Sequence, residues 1–319
     1  MVPEDSPGRA AERLLGNVVA RPWGVAVAVV IDGAKAIRLE PGRDPMTSSS
    51  MFEAGSVTKT IIGTLLAECV IRGEVSLDTT IADILGDRAT GASRTTLLEL
   101  ATHTSGFPRL PPNMKPVDPA NPYEDYTQEM LLESFAELPT SATRTHSYSN
   151  YGFMALGHLL ELATRQQLDG LLAERVFEPL GMNQSRVAGD RPVGALPGYH
   201  AGKPTPWWTH KCAGAGGMQT SISDLARLAA ASSAPDDTPL GSALRLAMTQ
   251  HHGDMGLGWM HQAGGWFHHG ETGGFRSFVV AYQPRKAAVA ILANGDAGAA
   301  LDHHGFSLIT HIARDTWYD

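Results

Sequence analysis

Apolar positions along this chain follow two different rhythms. Near the start, Trp23-Gly24-Val25-Ala26-Val27-Ala28-Val29-Val30-Ile31 is a nearly continuous apolar run, Asp32-Gly33 is a turn, and Ala36-Ile37-Arg38-Leu39 returns. That pattern predicts a β-hairpin. Near the end, Gly256–Met260, Trp266–His268, Phe275–Tyr282 and Ala287–Leu292 read as further strands. Between them, apolar residues recur at three- and four-residue steps, which predicts helices. The segments are about 56–72, 95–102, 127–137, 151–165, 168–176, 222–233 and 241–250. A short helix is also expected over 8–19 and a terminal helix over about 298–315.

From about 75 to 220 the helices are joined by Pro-rich loops, the richest at Phe107–Pro112 and on through Pro116, Pro119 and Pro122. Strands at both ends with helices between them predict an α+β fold. One antiparallel sheet is assembled from both chain ends and flanked by helices. Residues 1–74 and 221–319 form that sheet domain, and 75–220 form an inserted, mostly helical subdomain. No internal repeat interrupts this plan.

Composition narrows the function. The 319 residues suffice for one large domain or two interlocked ones. Net charge is -8 with histidine neutral, and no basic patch stands out, which argues against a nucleic-acid partner. No window is long and apolar enough to span a membrane. The start, Met1-Val2-Pro3-Glu4-Asp5-Ser6-Pro7, lacks a signal-peptide pattern, so a cytoplasmic location is expected. Two cysteines, Cys69 and Cys212, suggest neither a disulfide framework nor a zinc site. The histidines at 251, 252, 261, 268, 269, 303, 304 and 311 lack metal-ligand spacing, and no cofactor or metal is expected.

The candidate chemistry begins at Phe52-Glu53-Ala54-Gly55-Ser56-Val57-Thr58-Lys59. Ser56 falls in the first turn of the helix predicted from 56, and Lys59 lies one turn on, on the same face. Backbone N–H groups and the positive end of the helix dipole gather there and favour developing negative charge. A serine oxygen needs a base to take its proton, and a lysine serves only when neutral. The same spacing also suits a serine N-cap followed by a solvated lysine.

Two further clusters carry polar chemistry. In Tyr148-Ser149-Asn150 a phenol and an amide two residues apart point to the same side of an extended stretch. The phenol can relay a proton and the amide can hold a carbonyl or the lysine. Alternatively, Asn150 caps the following helix and Tyr148 packs in the core. His268-His269-Gly270-Glu271-Thr272-Gly273-Gly274-Phe275 sits at a strand end, where glycines let a substrate lie against the strand edge. A glycine-rich hairpin with exposed histidines is the other reading. Trp207-Trp208 could wall a pocket or pack in the core.

In this order and at these distances, the three stretches resemble the serine beta-lactamase and penicillin-binding-protein superfamily, in which a Ser-x-x-Lys signature is established. The nearest branch is the class C type, with family VIII esterases, D-amino-acid peptidases and related acyltransferases. Matching stretches include Leu100–Pro108, Pro179-Leu180-Gly181-Met182, Ala215–Ser221 with Asp224-Leu225-Ala226, and Gly256-Leu257-Gly258-Trp259. The resemblance runs from about residue 20 to about 295.

The resemblance implies that Ser56 is acylated, that Lys59 and Tyr148 share the base and acid work, and that Asn150 orients Lys59 and the substrate. The backbone N–H groups of Ser56 and Glu271 would form the oxyanion hole, with His268, His269 and Gly270 on the substrate-binding strand. Beta-lactamases carry Lys-Thr-Gly where this chain has His268-His269-Gly270. A histidine is only fractionally charged at neutral pH. That favours a small ester or amide substrate, with water or an amine or alcohol as acyl acceptor. A beta-lactamase or D-Ala-D-Ala carboxypeptidase, and a non-catalytic binding domain, are the alternatives. Glu271, beside the developing oxyanion, is expected to point away. The loops about 105–126 and 198–214 are expected to set the substrate.

Overall fold

A computed structural model describes residues 23–138, 145–187, 189–295 and 299–314; the helix expected over 8–19 lies outside them. The chain opens with strands β1 (Val25–Ile31), β2 (Ala34–Glu40) and β3 (Met51–Glu53), followed by helix α1 (Thr58–Ile71). Helices α2 (Ile81–Leu85), α3 (Leu97–Ala101), α4 (Gln128–Glu133), α5 (Asn150–Thr164) and α6 (Leu168–Leu172) come next. Short strands β4 (Arg186–Val187), β5 (Gly198–His200), β6 (Lys203–Thr205) and β7 (Met218–Ser221) precede α7 (Ile222–Ser233) and α8 (Gly241–Ala247). Strands β8 (Met260–Gln262), β9 (Gly265–Glu271), β10 (Arg276–Tyr282) and β11 (Ala287–Ala293) and helix α9 (Ala299–Arg314) close the chain.

The main sheet runs β2-β1-β11-β10-β9-β8, antiparallel throughout, so the first hairpin joins the last strands through β1 and β11. This is the α+β architecture that the two hydrophobic rhythms predict. Every residue of β1 is buried. Its even positions, Ala26, Ala28 and Val30, join the core under α7 and α1. Its odd positions, Val27 and Val29, pack with Leu308, Ile309 and Ile312 of α9. A strand covered on both faces needs apolar residues at every position, which explains the unbroken run.

A second sheet, β3-β7-β4, ties the chain just before α1 to residues 218–221, with Phe52 opposite Thr220 and Glu53 opposite Gln219. Helix α1 is buried over most of its length. Gly63 and Gly258 let the 256–259 segment press on it, because a Cβ at either would strike the carbonyl of Leu257 or Lys59. Gly258 has φ +70°. The strand expected over 256–260 is therefore a tight loop, and only Met260 of it is in β8. The helix expected over 241–250 ends early, at Ala247, while the one expected over 168–176 runs as α6 to Leu172 and continues as a π-helical segment over Ala173–Phe177. Among the described residues no helix is long and apolar enough to cross a membrane.

Candidate active site

Ser56 stands on a 3-10 turn, Gly55–Val57, and the α-helix starts only at Thr58. The expected start at 56 is thus two residues early. Gly55 has φ +49°, and a Cβ there would lie 2.7 Å from the Glu271 nitrogen. Only glycine allows the end of β9 to come this close. The turn is braced from outside: Thr58 Oγ1 donates to the Gly55 carbonyl (2.6 Å) and accepts from the Met218 N–H (2.9 Å). Ser277 Oγ donates to the Ala54 carbonyl (2.6 Å).

Lys59 is fully buried, its Nζ 3.0 Å from Ser56 Oγ, 3.0 Å from Asn150 Oδ1 and 2.6 Å from the Ala215 carbonyl. Burial, helped by the Arg109 charge, holds its pKa well below the usual lysine range. The neutral amine has two N–H groups and one lone pair. The Ala215 and Asn150 oxygens can only accept, so they take both N–H groups and leave the lone pair for the Ser56 hydroxyl.

Tyr148 and Asn150 arrive at the same place from the loop and first turn of α5. Ser149, not Asn150, is the N-cap: its Oγ accepts the Gly152 N–H at 2.9 Å. That leaves the Asn150 amide available, with Oδ1 on Lys59 and Nδ2 donating to the Tyr123 hydroxyl (3.2 Å). Burial pushes the Tyr148 phenol up to about 12, against the pull of its hydrogen bond with Ser56, so it stays protonated. Lys59 Nζ lies 4.9 Å from the centre of the Tyr148 ring.

The end of β9 forms the opposite wall. β8 pairs only with Gly265–Phe267, so β8 does not cover the edge from His268 to Glu271. Gly270 faces the nucleophile turn: a Cβ there would press on the Ala54 carbonyl and sit 2.9 Å from the Ser56 nitrogen. His268 is fully buried, its Nδ1 donating to the His269 carbonyl (2.6 Å), and burial holds its pKa well below the usual range. It is neutral, so this position supplies no cation. His269 reaches Asp302 of α9, Nδ1 to Oδ2 3.1 Å. The Glu271 carboxylate pairs with Arg276 (2.6 Å).

A cavity of about 590 Å³ joins these groups. Ser56, Tyr148, Asn150, His269 and Glu271 line it, with Arg109 and Tyr123 from the 105–126 loop and His200 and Trp208 from the 198–214 loop. His268 and Gly270 stand behind that lining. Trp208 donates its Nε1–H to the Ala120 carbonyl (2.7 Å), bridging the two loops, while Trp207 packs edge-on against Phe275.

Two residues of the site escape sequence reasoning. His103, at φ +60°, accepts the Ser149 N–H on Nδ1 (3.1 Å) and the Ser147 N–H on its carbonyl (2.8 Å), so it grips both sides of Tyr148. Its place inside Thr102-His103-Thr104-Ser105-Gly106 was the available signal. Glu53, three residues before Ser56, is 4% exposed and accepts the Trp208 N–H. Burial raises its pKa to about 7, against the pull of Thr272 and the Trp208 N–H. No sequence signal marks it, because its partners lie far along the chain.

The sequence profile described as Beta-lactamase matches residues 12–314. Penicillin-binding protein 4 of Amycolatopsis lactamdurans is 27% identical, over 85% of this chain and 81% of its own length. A Beta-lactamase of Escherichia coli (strain K12) is 29% identical over 74% of this chain and 65% of its own. Esterase EstB of Burkholderia gladioli is 28% identical over 52% and 46%. The chain thus spans less than two thirds of the latter two proteins. With a match across nearly the whole chain, it belongs to the beta-lactamase family, within the serine beta-lactamase and penicillin-binding-protein superfamily.

Proposed function

We propose that this serine hydrolase works through an acyl-enzyme on Ser56 and acts on a small ester or amide. The observation that carries the reading is the hydrogen-bond arithmetic at Lys59. With both N–H groups of the neutral amine committed, its lone pair is left for the Ser56 hydroxyl 3.0 Å away. Lys59 takes the Ser56 proton as Oγ attacks the carbonyl carbon. The backbone N–H groups of Ser56 and Glu271 receive the oxyanion; one such donor contributes about 3–4 kcal/mol to the transition state. As the tetrahedral intermediate collapses, the proton passes to the leaving group through Tyr148. Water, or an amine or alcohol, then attacks the acyl-Ser56 ester, giving its proton back along the same groups and releasing the acid or the transferred acyl product.

Catalytic groups in this reading come from both proposed units: Ser56, Lys59 and 268–271 from the sheet domain of 1–74 with 221–319, and Tyr148 and Asn150 from the helical subdomain of 75–220. Asn150 orients Lys59, and His268, His269 and Gly270 form the substrate-side strand. A cytoplasmic location goes with it; both cysteines are buried free thiols, and cell fractionation is its test.

Intact-protein mass spectrometry after mixing with p-nitrophenyl acetate tests the mechanism. An acetyl adduct on the wild type and none on Ser56→Ala is expected. Turnover that survives Ser56→Ala would sink it.

The names of two relatives support a second reading, beta-lactamase or D-Ala-D-Ala carboxypeptidase. Neutral, buried His268 weighs against it, since no fixed cation stands there for a substrate carboxylate. Rapid hydrolysis of a chromogenic cephalosporin would favour it.

A further inference from the structure

Arg109 lines the cavity with no carboxylate paired to it among the described residues. Its carbonyl accepts the N–H groups of Asn150 and Tyr151 (3.0 and 3.2 Å), so its backbone caps the start of α5. Its guanidinium carbon lies 5.4 Å from the centre of the Tyr148 ring, and the side chain lines the cavity with Ser56. Among the described residues Arg109 makes no ion pair. The carboxylate of Glu271, in the same cavity, is already taken by Arg276. Lys59 is fully buried, with burial holding its pKa well below the usual lysine range, and Asp302 engages His269. The charge left over at this face of the cavity is one cation, held one phenol ring away from the nucleophile.

We propose that Arg109 is the specificity residue of this site and that it selects substrates carrying a carboxylate. A guanidinium offers a planar pair of N–H donors that fits a carboxylate in two parallel hydrogen bonds. The capped backbone and the stack on Tyr148 fix that fork in advance, which lowers the ordering cost of binding. The cation therefore comes from the helical-loop side of the cavity, rather than from the β9 position where His268 is neutral. This inference rests on the Ser56 acyl-enzyme reading and names the substrate class for it.

The test compares matched ester pairs on the wild type, Arg109→Gln and Arg109→Glu. One pair puts the charge on the acyl portion: p-nitrophenyl hydrogen glutarate against p-nitrophenyl butyrate. The other puts it on the leaving group: 3-acetoxybenzoate against phenyl acetate. Ratios of kcat/KM are compared, because losing the Arg109 charge also raises the Lys59 pKa and slows every substrate alike at neutral pH. The charged member of one pair is expected to gain roughly tenfold from Arg109, the scale of one charge-assisted contact. That gain is expected to vanish in Arg109→Gln and to reverse in Arg109→Glu, and the responding pair locates the carboxylate. A preference that survives Arg109→Gln, or equal ratios in all three proteins, would overturn the inference. A Ser56-dependent acetyl adduct with the neutral ester is read alongside. Its absence overturns the acyl-enzyme reading instead, so the two failures are distinct.

Discussion

The imidazole of His103 lies 4.5 Å from the ring of Tyr148, tilted by 35°, and accepts the N–H of the next residue, Ser149. For Nδ1 to accept, the ring must be neutral with its proton on Nε2; burial keeps it so. His103 is therefore a positioning residue, acting through Tyr148. In His103→Ala the buried Ser149 N–H loses its partner, at a cost of about 1–3 kcal/mol in urea unfolding. The acylation rate is expected to fall roughly 10- to 100-fold with KM little changed. A KM rise with kcat intact would contradict a positioning role.

Lys59 makes activity and stability depend on pH in a defined direction. Its folded pKa is depressed, so acylation is lost as pH falls through that value and the amine takes up a proton. In stability, the unfolded chain binds more protons between the lowered folded pKa and the ordinary lysine value of about 10.4. Stability therefore rises with pH across that window. Lys59→Met is expected to remove this alkaline rise in unfolding free energy and to lower acylation about 10²- to 10⁴-fold. An unchanged pH slope in Lys59→Met would show that another group causes it.

Glu53 titrates the other way. Its pKa rises from the usual carboxylate value to about 7 in the fold, so the folded chain binds the extra proton between about 4.5 and about 7. Stability should fall as pH rises through that window, by on the order of 3 kcal/mol. Glu53→Gln keeps an oxygen for the Trp208 N–H and removes the titration. Guanidinium unfolding at pH 5 and pH 8 checks this: the gap between the two should shrink in Glu53→Gln, and a gap of wild-type size would refute the assignment.

Gly270 leaves no room for a side chain between β9 and the Ser56 turn. Two of the obstructing atoms, the Ala54 carbonyl oxygen and the Ser56 nitrogen, are backbone, and the third, Ser277 Oγ, is held on that same carbonyl, so none swings aside as a long flexible side chain would. Gly270→Ala is expected to push the Glu271 N–H away from that of Ser56 and to lower kcat about 10²- to 10³-fold, the usual effect of losing an oxyanion donor. A near-native circular dichroism spectrum with wild-type kcat would show that the two segments need not abut.

Local patterns carried much of this protein in the sequence. The unbroken apolar run of β1, the strands near the end and the helical spacing after Ser56 each follow from one segment's own burial, so each was legible without a partner. The Ser56–Lys59 pairing was legible for the same reason, since both lie within about one turn. Tyr148 with Asn150, and the glycine-rich end of β9, stood out as residue types, though nothing local joined them to Lys59.

Tertiary structure decided the rest. Strands of two to four residues, such as β3, β4 and β7, are too short for a period to show, and long-range pairing alone makes them strands. The apolar character of Gly256–Met260 reads as a strand, yet close packing on α1 makes most of it a loop. Ionisation was out of reach of sequence altogether. The pKa of Lys59 lies well below the usual lysine range, that of Glu53 is raised to about 7 and His268 is uncharged because segments far apart in the chain strip water from around them. Ser149 rather than Asn150 caps α5, and that choice of side-chain orientation, visible only in three dimensions, turns the Asn150 amide toward Lys59.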